Sequence, residues 1–207
     1  MDKQKIPDII FNYPTSYPQE EIEKEISGIK DEKLDLKVNK ENPRAYMALE
    51  WIVPTIFGVY ILKPYFNAFL SEMGKDHYQL LKKGLKKIVK KIKQLKARMI
   101  ASSDSPDKLS KKYTKSVVIS IVAQCNNNQQ IKLLFNNELE LVYWESAIDE
   151  FLDYLLENYN SYPKDRLSTI IKEKSQKVSE VIYVIINPET KRIEFCNNPE
   201  MFDKFKS

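Results

Sequence analysis

Lysine or arginine at positions 82, 83, 86, 87, 90, 91, 93, 96 and 98 gives the stretch from Lys82 to Arg98 nine cations and no carboxylate. Side chains of this kind do not make or break bonds. They neutralise an anionic partner, whether phosphates, carboxylates or a charged surface. Lys82, Lys83, Lys86, Lys87, Lys90, Lys91, Lys93, Lys96 and Arg98 are therefore the candidate partner-binding residues.

A second string suggests a different chemistry. Gly74-Lys75-Asp76-His77-Tyr78 gathers a carboxylate, an imidazole and a phenol beside a glycine, and His77 is the only histidine. Histidine serves as a general acid or base near neutral pH. Neighbouring helical residues point about 100° apart, however, so Asp76 and His77 form no oriented dyad. Remote carboxylates would have to complete such a site. A simpler reading makes Asp76 a cap or first-turn anion at a helix start.

Other catalytic signatures are missing. The chain has four glycines, no glycine-rich phosphate loop, no GxSxG and no HExxH, so no cofactor is implied. Cys125 and Cys196 stand far apart without metal-ligand spacing and read as reduced structural thiols. Glu20, Glu21, Glu23 and Glu25 could meet a cation, but with Ile22, Ile26 and Ile29 turned inward they read as a solvated helix face.

The elements that must position these residues follow from periodicity. Leu81, Leu85, Ile88, Ile92, Leu95 and Met99 recur every three or four residues, which makes the basic run one amphipathic helix from near Asp76 to Ile100. Gly84 weakens its first turns by about 1 kcal/mol relative to Ala. Lys82 with Lys86 and Lys86 with Lys90 are like-charge pairs at i,i+4, each costing about 0.2–0.5 kcal/mol in an isolated helix. A complementary surface would relieve them. The segment from Leu134 to Pro163 supplies one: it carries Glu138, Glu140, Glu145, Asp149, Glu150, Asp153 and Glu157 with no Lys or Arg. Its apolar residues Leu141, Trp144, Ile148, Phe151, Leu152, Leu155 and Tyr159 mark a long helix. Lys86, Lys90 and Lys93 are expected to answer Glu150, Asp153 and Glu157.

Upstream, Asp8–Tyr13 reads as a strand, Ser16 to Gln19 as a capping box opening a helix, and Lys33–Val38 as a half-buried strand, a βαβ-like beginning. Ala45–Met73 is apolar and aromatic, and is expected to be helical but broken near Pro54 and Pro64, with a strand over Thr55–Leu62 as the alternative. The uncharged window Trp51–Leu62 is short of the roughly 20 residues a membrane-spanning helix needs, so a buried core helix is expected. Trp51, Ile56, Phe66, Phe69, Trp144, Phe151 and Leu155 are the expected core.

Downstream, two strands around Asn126-Asn127-Asn128 form a hairpin, and Val181–Ile186 with Arg192–Cys196 form another around Asn187-Pro188-Glu189-Thr190. A shorter helix runs from Leu167 to Lys174.

This order implies an α+β fold: an antiparallel or mixed sheet built from hairpins with helices packed on it, plus a helical N-terminal half. Residues 1–100 form the first unit, 101–112 a linker and 113–207 a hairpin-helix-helix-hairpin unit, or all form one integrated domain. At 207 residues the chain can bury a core without disulfides. The N-terminus lacks an apolar segment after its charges, which implies a cytoplasmic protein.

The functional reading is a non-catalytic, intracellular protein-binding or regulatory module acting through its charged amphipathic helices, with a protein partner or self-association. The alternative is a nucleic-acid binder of low sequence specificity, since in the basic run only Gln94 and Arg98 suit base edges. A small enzyme using His77 is the second alternative. A membrane surface has the least support of the anionic partners.

Overall fold

Strands rich in Ile, Val, Phe and Leu dominate the architecture. A computed structural model describes residues 7, 9–14, 19–20, 35–41, 57–62, 74–99, 115–175 and 180–206. The elements are β1 (Ile9–Pro14), β2 (Leu36–Glu41), β3 (Phe57–Ile61), α1 (Gly74–Met99), β4 (Lys115–Gln124), β5 (Gln130–Asn136), α2 (Leu141–Ser161), α3 (Arg166–Lys174), β6 (Ile182–Ile186), β7 (Ile193–Cys196) and α4 (Asn198–Lys206).

All seven strands join one mixed sheet in the order β2-β1-β3-β4-β5-β6-β7. Neighbours alternate between parallel and antiparallel across it. The pairing of β3 with β4 joins the N-terminal strands to the C-terminal ones. The α+β class and the mixed sheet thus hold. The helical N-terminal half does not, because three strands precede α1.

Register explains the core. Val38, Phe11, Val59, Ile121, Leu133 and Phe195 lie in one row across the sheet, with Val184 between the last two. Because strand side chains alternate faces, this row and its i±2 neighbours form one continuous apolar face. Onto that face pack Leu81, Leu85, Ile88, Val89 and Ile92 of α1 and Trp144, Ile148, Phe151, Leu152 and Leu155 of α2. The opposite face is covered at one end by Met201 of α4, against Leu134, Tyr183, Ile185 and Cys196.

The expected helix over Ala45–Met73 is corrected where it is described: Phe57–Ile61 is β3, the alternative strand. A five-residue apolar run buried on both faces has neither a period of 2 nor a period of 3.6 to declare itself. Gly58 has a specific reason to be glycine. A Cβ there would come within 2.7 Å of the Tyr60 ring, which lies over it. Trp51, Ile56, Phe66, Phe69 and the linker 101–112 lie outside the described residues.

Several local expectations hold. β1 and β2 are parallel, as a βαβ beginning requires, and residues 19 and 20 between them are helical; the rest of that expected helix, with Ser16, Ile22, Ile26 and Ile29, lies outside the described residues. Asn128 turns the β4–β5 hairpin with a φ of 67°, and Lys191 adopts 60° in the β6–β7 turn. Asn187 Oδ1 accepts from the backbone N–H groups of Glu189 and Thr190, which shapes that turn. Helix α4 was not expected. Its start carries a reciprocal capping box, in which Asn197 Oδ1 accepts from Glu200 N–H and Glu200 Oε2 accepts from Asn197 N–H, both at 3.0 Å.

Candidate functional site

Helix α1 divides its lysines by face. Leu81, Leu85, Ile88, Val89 and Ile92 are buried against the sheet and α2. Side chains three and four residues apart share a helix face, so the cations fall into two stripes beside this seam. Lys82, Lys86 and Lys93 form one, and each is part-buried. Lys83, Lys87 and Lys90 form the other, flanked by Gln79 and Gln94, and all five are exposed.

The first stripe meets α2. Lys82 Nζ lies 2.9 Å from Asp153 Oδ1 and 3.8 Å from Asp149 Oδ1, and Lys86 Nζ lies 2.6 Å from Asp149 Oδ2. The Tyr78 hydroxyl also donates to Asp153 Oδ1, while the Lys82 ammonium sits 4.5 Å from the Tyr78 ring centroid. Lys93 donates to the backbone carbonyl of Leu139 and stands 4.1 Å from the Trp144 ring centroid. Burial holds the Lys93 ammonium below the ordinary lysine value, and Glu140 pulls the other way. Lys91 is half-buried with an interaction of its own. The side chains of His77, Lys96 and Arg98 lie outside the described residues.

The basic and acidic helices therefore do meet within one chain, with different partners from those expected. Lys82 and Lys86 pair with Asp149 and Asp153. Glu150 is answered by Arg192 at 3.3 Å and Glu157 by Arg166 at 2.6 Å. Lys90 is exposed and borders the open space between α1 and α2. The displacement has a geometric cause: seating Leu85, Ile88 and Ile92 in the core sets the rotation of α1, and that rotation aims Lys82 and Lys86 at α2.

Exposed or part-exposed pairs are worth about 0–1 kcal/mol each, so these bridges set helix register more than stability. Reversing Lys82 and Lys86 to Glu together should lower folding stability by about 1–2 kcal/mol. Adding Asp149→Lys and Asp153→Lys should recover part of that loss in urea titrations. Additive losses from the two pairs of changes would show that the helices are not electrostatically coupled.

Between α1 and α2 lies an open cleft of about 530 Å³, lined by Gln79, Lys82, Lys83, Lys86, Lys87, Lys90, Glu145 and Asp149. It is the place where both lysine stripes border one space. Its lining is five lysines and a glutamine against two carboxylates.

A second polar cluster has catalytic residue types and a structural explanation. At one end of the sheet, Asn158, Tyr159, Asp165 and Cys125 are buried together near Ser168. Asp165 caps α3, accepting from Ser168 N–H at 2.8 Å, from the Ser168 hydroxyl at 2.5 Å and from Asn158 Nδ2 at 3.1 Å. Asn158 Oδ1 accepts from Asn126 N–H at 2.9 Å, tying the β4–β5 turn to α2. Burial pushes the Asp165 carboxyl up, but the hydrogen bonds from Ser168 and Asn158 outweigh it and hold the group below the ordinary aspartate value.

Burial, reinforced by the Asp165 charge, pushes the Cys125 thiol far above its ordinary range, and burial also raises the Tyr159 phenol. Cys125 is thus protonated and unreactive at neutral pH. Cys196, also buried and unpaired in a disulfide, is pushed up to about 11 mainly by burial. Sequence reasoning missed Asn158 and Asp165. Asp165, two residues ahead of the first apolar residue Leu167, was the available signal, a helix cap.

Among the described residues no cluster of three or more His, Cys, Asp or Glu could hold a metal ion, and no helix is long and apolar enough to cross a membrane. In comparisons with known proteins, no family model, no curated protein and no solved structure matches the chain.

Proposed function

We propose that this protein is a non-catalytic module that binds a protein partner through the α1–α2 surface, with Lys83, Lys87 and Lys90 meeting the partner's carboxylates. The observation that carries the reading is the division of α1: one lysine stripe is engaged by the chain's own acidic helix, while the other stands exposed at i, i+4 and i+7. The buried seam of Leu81, Leu85, Ile88, Val89 and Ile92 holds α1 in the core, so the exposed stripe is presented on a supported helix. The buried seam beneath it leaves charge, not apolar area, as the means of contact. Such contacts give specificity and association rate more than affinity.

Reversing Lys83, Lys87 and Lys90 to Glu should abolish capture of the partner from nuclease-treated native extract, with an unchanged circular dichroism spectrum and unfolding midpoint. Sedimentation of the purified protein separates a second copy of the chain from a different partner. Undiminished capture by the folded triple variant would remove the stripe from the contact.

The exposed stripe also supports the nucleic-acid reading, because cations left open on a folded surface can neutralise phosphates. Three lysines on duplex DNA would give a slope of log K against log salt of about −2.7. Sequence-independent binding with that slope, and no captured protein, would replace the protein-partner reading with the nucleic-acid one.

A further inference from the structure

The α1–α2 cleft has a composition that a protein contact alone does not require. Five lysines line it, Lys82, Lys83, Lys86, Lys87 and Lys90, with the carboxylates Glu145 and Asp149; Asp153 beside the cleft answers Lys82 at 2.9 Å, which leaves an excess of two positive charges. Asp149 is already engaged by Lys86 at 2.6 Å. We infer that this cleft binds a short polyphosphate chain, inorganic or carried on a small organic molecule. The inference rests on the reading of the outward lysines as a contact surface, and it names a small anionic ligand for the cleft they border.

Four features converge on that class. The cleft, of about 530 Å³, is open to solvent and has room for a small anion lying along it. No lining residue is aromatic, so the cleft has no platform for stacking a base. The ligand group it recognises is therefore the anion itself.

All five cations are lysines, with no arginine among them. Lysine acts as a flexible point charge that any phosphoryl oxygen can meet. A run of phosphoryl groups offers oxygens on several sides and a charge large enough to match the excess. From Lys82 to Lys90 the helix rises about 12 Å, so the cations are spread along a line, which favours an extended anion over a single phosphate.

Preorganisation is the fourth feature. Asp149 and Asp153 hold Lys82 and Lys86 at the cleft wall, so part of the side-chain entropy that a ligand would otherwise have to remove is already lost in the free protein. Glu145 works in the opposite sense. Its carboxylate adds repulsion for any anion in the cleft and gives the test a change of predictable sign.

Isothermal titration of the full chain with inorganic tripolyphosphate, at low and moderate salt, tests this directly. Saturable binding of one ligand per chain, weakening as salt rises, is expected. Lys87→Glu with Lys90→Glu should weaken it at least about tenfold, since each exposed lysine is converted from attraction to repulsion. Glu145→Gln should strengthen it by about two- to fivefold on the same grounds. Both positions on α1 are exposed, and an unchanged unfolding midpoint verifies that the variants fold.

Citrate at matched ionic strength is the carboxylate control and should bind at least about tenfold more weakly, because it carries less charge than the polyphosphate chain. Equal binding of citrate, no saturable tripolyphosphate binding, or binding insensitive to both sets of substitutions would each overturn the inference. A short DNA duplex that outcompetes tripolyphosphate would overturn it in favour of a nucleic-acid backbone. Tripolyphosphate binding lost while protein capture persists would overturn the inference and leave the protein-binding reading intact. Saturable tripolyphosphate binding by a chain that captures no protein would uphold the cleft and remove that reading.

Discussion

Phe151→Ala should cost about 3–5 kcal/mol of folding stability, the range for truncating a large core aromatic. Phe151 is fully buried near the middle of α2, within the cluster that joins the sheet to α1 and α2. Its neighbours cannot simply collapse into the space. Trp144 is held by its indole N–H, which donates to the Asn136 carbonyl at 2.8 Å, and its ring packs 4.8 Å from that of Phe135. Sheet register fixes the strand side, so the deletion leaves a cavity. Urea titration should show a lower midpoint with little change in slope, the sign of lost stability without a changed unfolded state. A loss below about 1 kcal/mol, the range of ordinary surface changes, would place Phe151 outside the core.

Asp165→Ala should cost about 2–4 kcal/mol, combining a lost helix cap with buried donors left unpaired. Both the Asn158 amide and the Ser168 groups point at this carboxylate. Asp165→Asn should cost less, because an amide oxygen can still accept from Ser168 N–H and the Ser168 hydroxyl can turn to accept from the new NH₂ group.

The same pair of variants gives a pH signature. Since the folded pKa of Asp165 is depressed despite burial, its stabilisation is fully present above the unfolded aspartate value of about 3.9 and is lost as pH falls through the lower folded value. The wild type should therefore lose stability below about pH 4 more steeply than Asp165→Asn, which has no carboxylate to protonate. Identical acid limbs would mean that Asp165 titrates alike in the folded and unfolded chains, contrary to its hydrogen bonding.

Much of this molecule is written locally. The alternation around Asn126-Asn127-Asn128 and Asn187-Pro188-Glu189-Thr190 specifies two hairpins, since Asn tolerates the positive φ seen at Asn128 and its side chain nucleates the turn at Asn187. The apolar period of α2 identifies Trp144, Phe151 and Leu155 as core, and all three are buried. The seam of α1 is legible in the same way from Leu81 to Ile92, where every expected apolar residue is buried. These signals depend on residues within a few turns of one another, which is why one sequence suffices to read them.

Other features depend on distant neighbours. Phe57–Ile61 becomes a central strand because β1 and β4 flank it on either side, and a short apolar run carries no period that separates strand from helix. The capping box of α4 could have been seen, but the apolar surface that receives Met201 comes from β5, β6 and β7. In the site, the sequence by itself determined that α1 is cationic and α2 anionic, and that the two could answer each other. Only the tertiary structure decided which lysines do so. Packing Leu85, Ile88 and Ile92 into the sheet sets the rotation of α1, and at 3.6 residues per turn that rotation sends Lys82 and Lys86 to Asp149 and Asp153 while leaving Lys83, Lys87 and Lys90 exposed.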